Sequence, residues 1–184
     1  MNLSNHFLIA MPTTHDPVFG GSVVYLCEHN ERGALGIVIN KPTDITIDSL
    51  LERLELKLEI HAFSGQPVMF GGPVQDDRGF VLHSPEGNRF SSMLRITDEI
   101  AFTTSRDILE ALASGSGPSR VLVSIGYAGW NPGQLEQEIG RNGWLTVAAK
   151  PDVIFDLPIA ERYSAAIKLL GFDPLMLSSE SGHA

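Results

Sequence analysis

Three glycines, two aromatic residues and a proline fall within the eight residues Gly126-Tyr127-Ala128-Gly129-Trp130-Asn131-Pro132-Gly133. They follow directly on Val121–Ile125, an apolar run of strand type. Asn131 suits a helix cap, and Pro132 suits a first helical position, where its missing N–H is unpaired in any case. The segment predicts a buried strand that reverses tightly into a short helix, with Trp130 pinned at the corner. Geometry is specified here; chemistry is not.

Elsewhere the chain alternates short strand-like runs with amphipathic stretches. Phe7–Met11 reads as a buried strand stopped by Pro12. Ser22–Cys27 and Ala34–Asn40 read as a hairpin around the polar segment Glu28–Gly33, with a longer loop. Lys41-Pro42 ends the second strand, since proline cannot continue a central ladder. Ile47, Leu50, Leu51, Leu54 and Leu58 then recur at one face of a helix, with Thr46 or Asp48 near its start. Val68–Phe70, Gly79–His83, Met93–Ile96 and Ile100–Thr103 are short β-type runs whose spacing fits a meander.

Thr104-Ser105-Arg106-Asp107 matches a capping box ahead of Ile108, Leu109 and Leu112. Ser114–Ser119 is a loop. Leu135 and Ile139 share a helical face, ended by Gly140 or Gly143. Trp144–Ala148 and Val153–Phe155 read as strands. A last helix begins at Pro158, with Ile159, Tyr163, Ile167 and Leu170 inward, and Gly171 falls where a left-handed C-terminal cap belongs. The fold class expected is α+β: one domain over residues 1–184, with a mixed, mostly antiparallel bent sheet flanked by helices.

Bulk properties narrow the partners. The chain has 184 residues, 43% hydrophobic and 19% charged, which suits a folded core and excludes disorder. Its net charge is −9, and no run of Lys or Arg interrupts the acidic balance, so direct nucleic-acid binding is disfavoured. The single Cys, Cys27, has no partner for an internal disulfide, as expected of a reducing compartment. Met1–His6 lacks a basic leader, and no stretch approaches the ~20 apolar residues of a membrane span. The expectation is a cytoplasmic protein without a membrane segment.

Several segments together match one family pattern. They include Phe7-Leu8-Ile9-Ala10-Met11-Pro12, Ser22–Asn30, Gly36-Ile37-Val38-Ile39-Asn40-Lys41-Pro42 and Gly71-Gly72-Pro73-Val74-Gln75. Further on come Arg78–His83, Thr103–Asp107, Gly126–Trp130 and the terminal Gly182-His183-Ala184. The chain resembles the bacterial YqgE/AlgH family from about Phe7 to Ala184. The resemblance implies a compact α+β domain whose bent sheet closes partly into a small barrel. It also implies a regulator, since one branch is named for a link to control of alginate synthesis. Phe90 stands where family members often carry Trp.

Reactive constellations are sparse. Cys27 and His29 lie at i and i+2 of a strand, roughly 6.6 Å apart on one side, and could form a thiolate pair. A buried Cys followed by a turn His accounts for the same residues. His6, His15, His29, His61, His83 and His183 show neither HExxH nor i, i+4 spacing, so no metal site and no cofactor are expected. Gly115-Ser116-Gly117 precedes a strand and so is no phosphate cradle, while Thr103-Thr104-Ser105 could hold an anion or simply cap its helix. No GxSxG elbow is present. The remaining candidate is a binding surface of gathered strand ends: Asn40, Gly72, Arg78, Tyr127 and Trp130.

These observations favour a non-catalytic regulatory protein that binds a protein partner or a small ligand and affects transcription indirectly. Two alternatives stay open. One is an enzyme with a site at the strand-end loops, using Arg78, Asn40 or Cys27. The other is an assembly module with an exposed apolar patch.

Overall fold

The computed structural model describes residues 1–57, 59, 63–87 and 89–175. Leu58, His61 and the terminal Gly182-His183-Ala184 lie outside the described residues.

The spine of the molecule is β9 (Val121–Trp130), and three strands meet along it. Its first half pairs antiparallel with β6 (Val74–His83), Val123 opposite Val81, and parallel with β5 (Pro67–Phe70), Ser124 opposite Met69. Its second half pairs with β3 (Gly33–Val38), Ala128 opposite Gly36. From β3 the sheet continues through β2 (Val23–Asn30) and β1 (His6–Ala10) to β10 (Trp144–Ala148). From β6 it continues through β8 (Ala101–Thr103) to β7 (Met93–Arg95), while β4 (Pro42–Thr46) pairs with β5. The result is a mixed α+β architecture with a curled, mostly antiparallel half-barrel sheet. β9 does not reverse after Ile125 as its glycines predict. Gly126 takes a left-handed φ of +75° and the strand runs on, because β3, about ninety residues earlier in the chain, supplies its partner.

Helices close the faces. α1 (Ile47–Arg53) begins as expected, with the Thr46 hydroxyl accepting the Ser49 N–H and Ile47, Leu50 and Leu51 buried. α2 (Asp107–Ser114) buries Ile108, Leu109 and Leu112. Its capping box does not form: the Ser105 hydroxyl accepts the Ser92 N–H, and Asp107 accepts from the Ser91 N–H and hydroxyl. These side chains tie the β7 approach to the helix instead. α3 (Gln134–Gly140) starts after Gly133, which is left-handed at φ +78°, so Asn131 and Pro132 belong to the preceding turn rather than to the cap.

α4 (Pro151–Phe155) replaces the strand expected at Val153–Phe155. Three apolar residues carry no period, and Pro151 is preset for a first helical turn. A 3-10 turn, Ile159–Glu161, leads into α5 (Arg162–Leu169), and Gly171 is left-handed at φ +78° as expected. The first hairpin is tighter than predicted: Asn30 pairs with Gly33, leaving only Glu31 and Arg32 in the loop. β4 is an added strand, its pairing with β5 hidden behind Pro42.

Three apolar clusters fill the layers. The largest joins Phe7, Tyr25, Phe80 and Phe102 on one face of the sheet to Ile154 and Ala166 of α4 and α5. A second packs α1 and α2 on Val81 and Val123. A third, on the other face of β1–β3, holds Leu8, Leu26, Trp130 and Trp144. Phe90 packs edge-on to His83, ring centroids 5.6 Å apart, so an aromatic plug is kept at that position.

Candidate functional site

The strand ends are organised by a backbone crossing. The Gly71 N–H donates to Ile125 O at 2.9 Å, and Gly71 O accepts from the Val38 N–H at 2.9 Å. A Cβ added at Gly72 would lie 2.1 Å from the Tyr127 carbonyl carbon, and one at Gly126 would lie 2.1 Å from Gly72 O. Two glycines are therefore required where β5 passes into β6 across β9. Gly72 serves this crossing. Tyr127, on its far side, stands edge-on to Phe80 at 5.4 Å, and the Arg78 guanidinium lies 5.9 Å over the same ring. Arg78 also donates to Gln75 Oε1 at 3.2 Å.

Gly72, Tyr127 and Arg78 are thus brought together; Asn40 and Trp130 are not. Asn40 accepts from the Val23 N–H and donates to Gly21 O, both at 2.9 Å, and so clamps the start of β2. Trp130 is buried and donates to Glu138 Oε1 at 3.1 Å, an oxygen that also accepts the Trp144 indole N–H at 2.9 Å. Gln134 donates to the second oxygen of Glu138 at 2.9 Å, and Phe19 packs on both indoles. Glu138 is the keystone of that cluster. Sequence reading passed over it, because a half-exposed Glu on a short helix gives no signal of its own.

The titratable groups singled out by sequence are committed internally. Cys27 is buried at the bulge of β2, and burial, assisted by the charge of Glu28, pushes its thiol well above the ordinary value. Among the described residues its one hydrogen-bond acceptor is Tyr25 O, and no His pairs with it. His29 accepts the Leu3 N–H on Nδ1 and meets Glu136 through Nε2, joining the amino-terminal segment to α3. The bond from His29 holds the Glu136 carboxyl below its ordinary value. His83 is held between Ser84 O at 2.8 Å and the Thr103 hydroxyl at 2.7 Å, and burial lowers its pKa. Among the described residues no three His, Cys, Asp or Glu side chains group to hold a metal ion. No helix there is long and apolar enough to cross a membrane.

One buried charge differs from these. Arg162, at the start of α5, is only 8% exposed. Nη1 donates to Ile39 O at 2.6 Å and Nε to Leu157 O at 3.2 Å; no carboxylate of the described residues lies within ion-pair distance. Burial lowers its pKa, although a guanidinium stays protonated. The residue lines a cavity of about 270 Å³ between β5, β9 and the α4–α5 connection, walled by Met69, Phe155, Leu157 and Ile159. A signal for it existed in the sequence. Arg162 falls three residues after Ile159, on the stripe that Tyr163 and Ile167 continue, and is the one charge on that inward face.

The model of the AlgH-like family, DUF179, matches residues 7–175. The chain belongs to that family. Other AlgH-like relatives are close: a UPF0301 protein of Ralstonia nicotianae is 59% identical over the whole chain and 96% of its own length. One from Cupriavidus pinatubonensis is 61% identical with the same coverage. The solution structure of AlgH from Pseudomonas aeruginosa superposes with a TM-score of 0.81 at 48% identity, covering 100% of this chain and 97% of that one. A crystal structure of a Corynebacterium diphtheriae protein, 20% identical, shares the fold with a TM-score of 0.72 over 90% of this chain and 86% of its own.

Proposed function

We propose that this AlgH-like chain is a non-catalytic regulatory protein of the cytoplasm that works by binding a protein partner, and that any effect on transcription runs through that partner. The observation that carries the reading is the exposed strand-end surface around Tyr127. There β6 carries Val74, Gln75, Asp76, Asp77 and Arg78, all exposed, on a stretch whose register breaks from β9 between Val74 and Gly79. The glycine crossing anchors the start of that stretch, backbone against backbone, beside β9. Its mixture of apolar, amide and charged groups is that of a protein interface rim. The net charge of −9 opposes a direct approach to DNA.

The test places a photo-crosslinking residue at Asp77, and separately at Lys168 on α5, in cells of a bacterium that carries the protein. A discrete crosslinked species is expected from Asp77 alone, lost when Val74→Asp is added. The reading fails if Asp77 yields none, or if the purified chain forms a tight, salt-sensitive DNA complex by fluorescence anisotropy.

A further inference from the structure

The geometry points to a ligand site at Arg162: we propose that the cavity behind α4 and α5 binds a small monocarboxylate, its carboxylate on the Arg162 guanidinium and its apolar body against Met69, Phe155 and Ile159. The inference is independent of the strand-end surface.

A buried guanidinium without a counter-ion costs several times what an ordinary buried polar group costs, and two backbone carbonyls offset only part of that. Arg162 has five N–H bonds, of which two are used among the described residues. Nη2 has no partner there. Ser22 Oγ is the only side-chain polar atom of the described residues both sealed from solvent and without a partner, so Nη2 reaches open space. The open space beside Arg162 is this cavity. A carboxylate there would take up the free donors in the paired geometry that guanidinium favours.

Charge and size narrow the class. Arg120, next in sequence to the lining residue Val121, pairs with Asp156 and lies 5.2 Å over the Phe155 ring. Arg162 is the one charged residue among the described residues that line the cavity, which matches a monoanion rather than a phosphate dianion. The volume of about 270 Å³ is just below the roughly 300–1,000 Å³ of drug-sized pockets, and its lining combines apolar side chains such as Met69, Phe155 and Ile159 with polar surface, so a short aliphatic or single-ring acid fits.

Hexanoate is the probe, titrated into the full chain while the methyl resonances of Met69 and Ile159 are followed by NMR. Saturable shifts at both methyls are expected, with a Kd below about 1 mM. Hexanamide, which is isosteric and uncharged, should bind at least about tenfold more weakly, as should acetate, which lacks the apolar body. Arg162→Met should lose at least the same factor for hexanoate. If that variant does not fold, the comparison of hexanoate with hexanamide on the unaltered chain decides. Equal binding of hexanamide overturns the role of the guanidinium. Equal binding of acetate or phosphate overturns the apolar wall, and the absence of saturable shifts overturns the site.

Discussion

Two regions of this molecule each hold one ionisable side chain among apolar neighbours, and they treat it in opposite ways. On one face of the sheet, Glu138 receives two indole N–H groups and an amide N–H, so both of its oxygens are occupied. The glycine crossing at Gly72 and Gly126 is just as closed, with backbone against backbone. On the other face, Arg162 keeps donors without a partner among the described residues, beside an open cavity. Closed polar networks serve a fold by specifying one arrangement. A buried charge left incomplete destabilises the fold, and such exceptions concentrate where something binds.

The contrast can be broken first at the crossing. Gly72→Ala places a methyl group within 2.1 Å of Tyr127 backbone atoms that belong to the spine strand. Neither partner is a flexible side-chain end, so one strand must move. A loss of about 4 kcal/mol or more is expected, at the extreme of single substitutions. Urea unfolding of the variant checks this, and a loss under about 1 kcal/mol would show that the crossing yields easily. The Glu138 network comes next. Glu138→Ala strands the buried Trp130 and Trp144 N–H groups at once, for an expected loss of about 2–4 kcal/mol. Glu138→Gln keeps one acceptor oxygen and should cost about half as much. Equal costs for the two would mean that packing, not the shared oxygen, holds the indoles.

How far these regions could be read from sequence follows from the range of the interactions. α1 was legible, with Thr46 one of two candidates for its start, because its apolar residues and its cap lie within one short window. β1, β5, β8 and β10 were legible as apolar runs bounded by turn residues. α4 was not, since Val153, Ile154 and Phe155 are too few to show a period. The continuation of β9 past Gly126 depends on Gly36 and Ala34, far back in the chain, and no local pattern reports them. Of the candidate surface, Gly72, Arg78 and Tyr127 converge, whereas Asn40 and Trp130 serve structure through bonds to Gly21, Val23 and Glu138. Arg162 was visible as an odd charge on an apolar stripe, but its acceptor, Ile39 O, is 123 residues away. Only the fold shows that it is buried and incompletely paired.

The smallest expected effect is the most discriminating. If Arg162 were a structural keystone like Glu138, removing it would cost about 3–5 kcal/mol, the usual result of breaking a buried ionic network. The structure argues otherwise. Arg162→Met leaves Ile39 O and Leu157 O without their donor, a loss of about 1–3 kcal/mol if both stay buried. It also removes the desolvation cost of a charge that has no carboxylate of the described residues beside it, and fills the same space with an apolar chain. The two effects oppose each other, so the net change in urea unfolding should stay within about 1 kcal/mol of the parent. A loss as large as that of Glu138→Ala would place Arg162 with the closed regions and remove the stability argument for a ligand. A neutral or stabilising result would mean that the residue is kept for what it binds, because the fold alone gains nothing from retaining it.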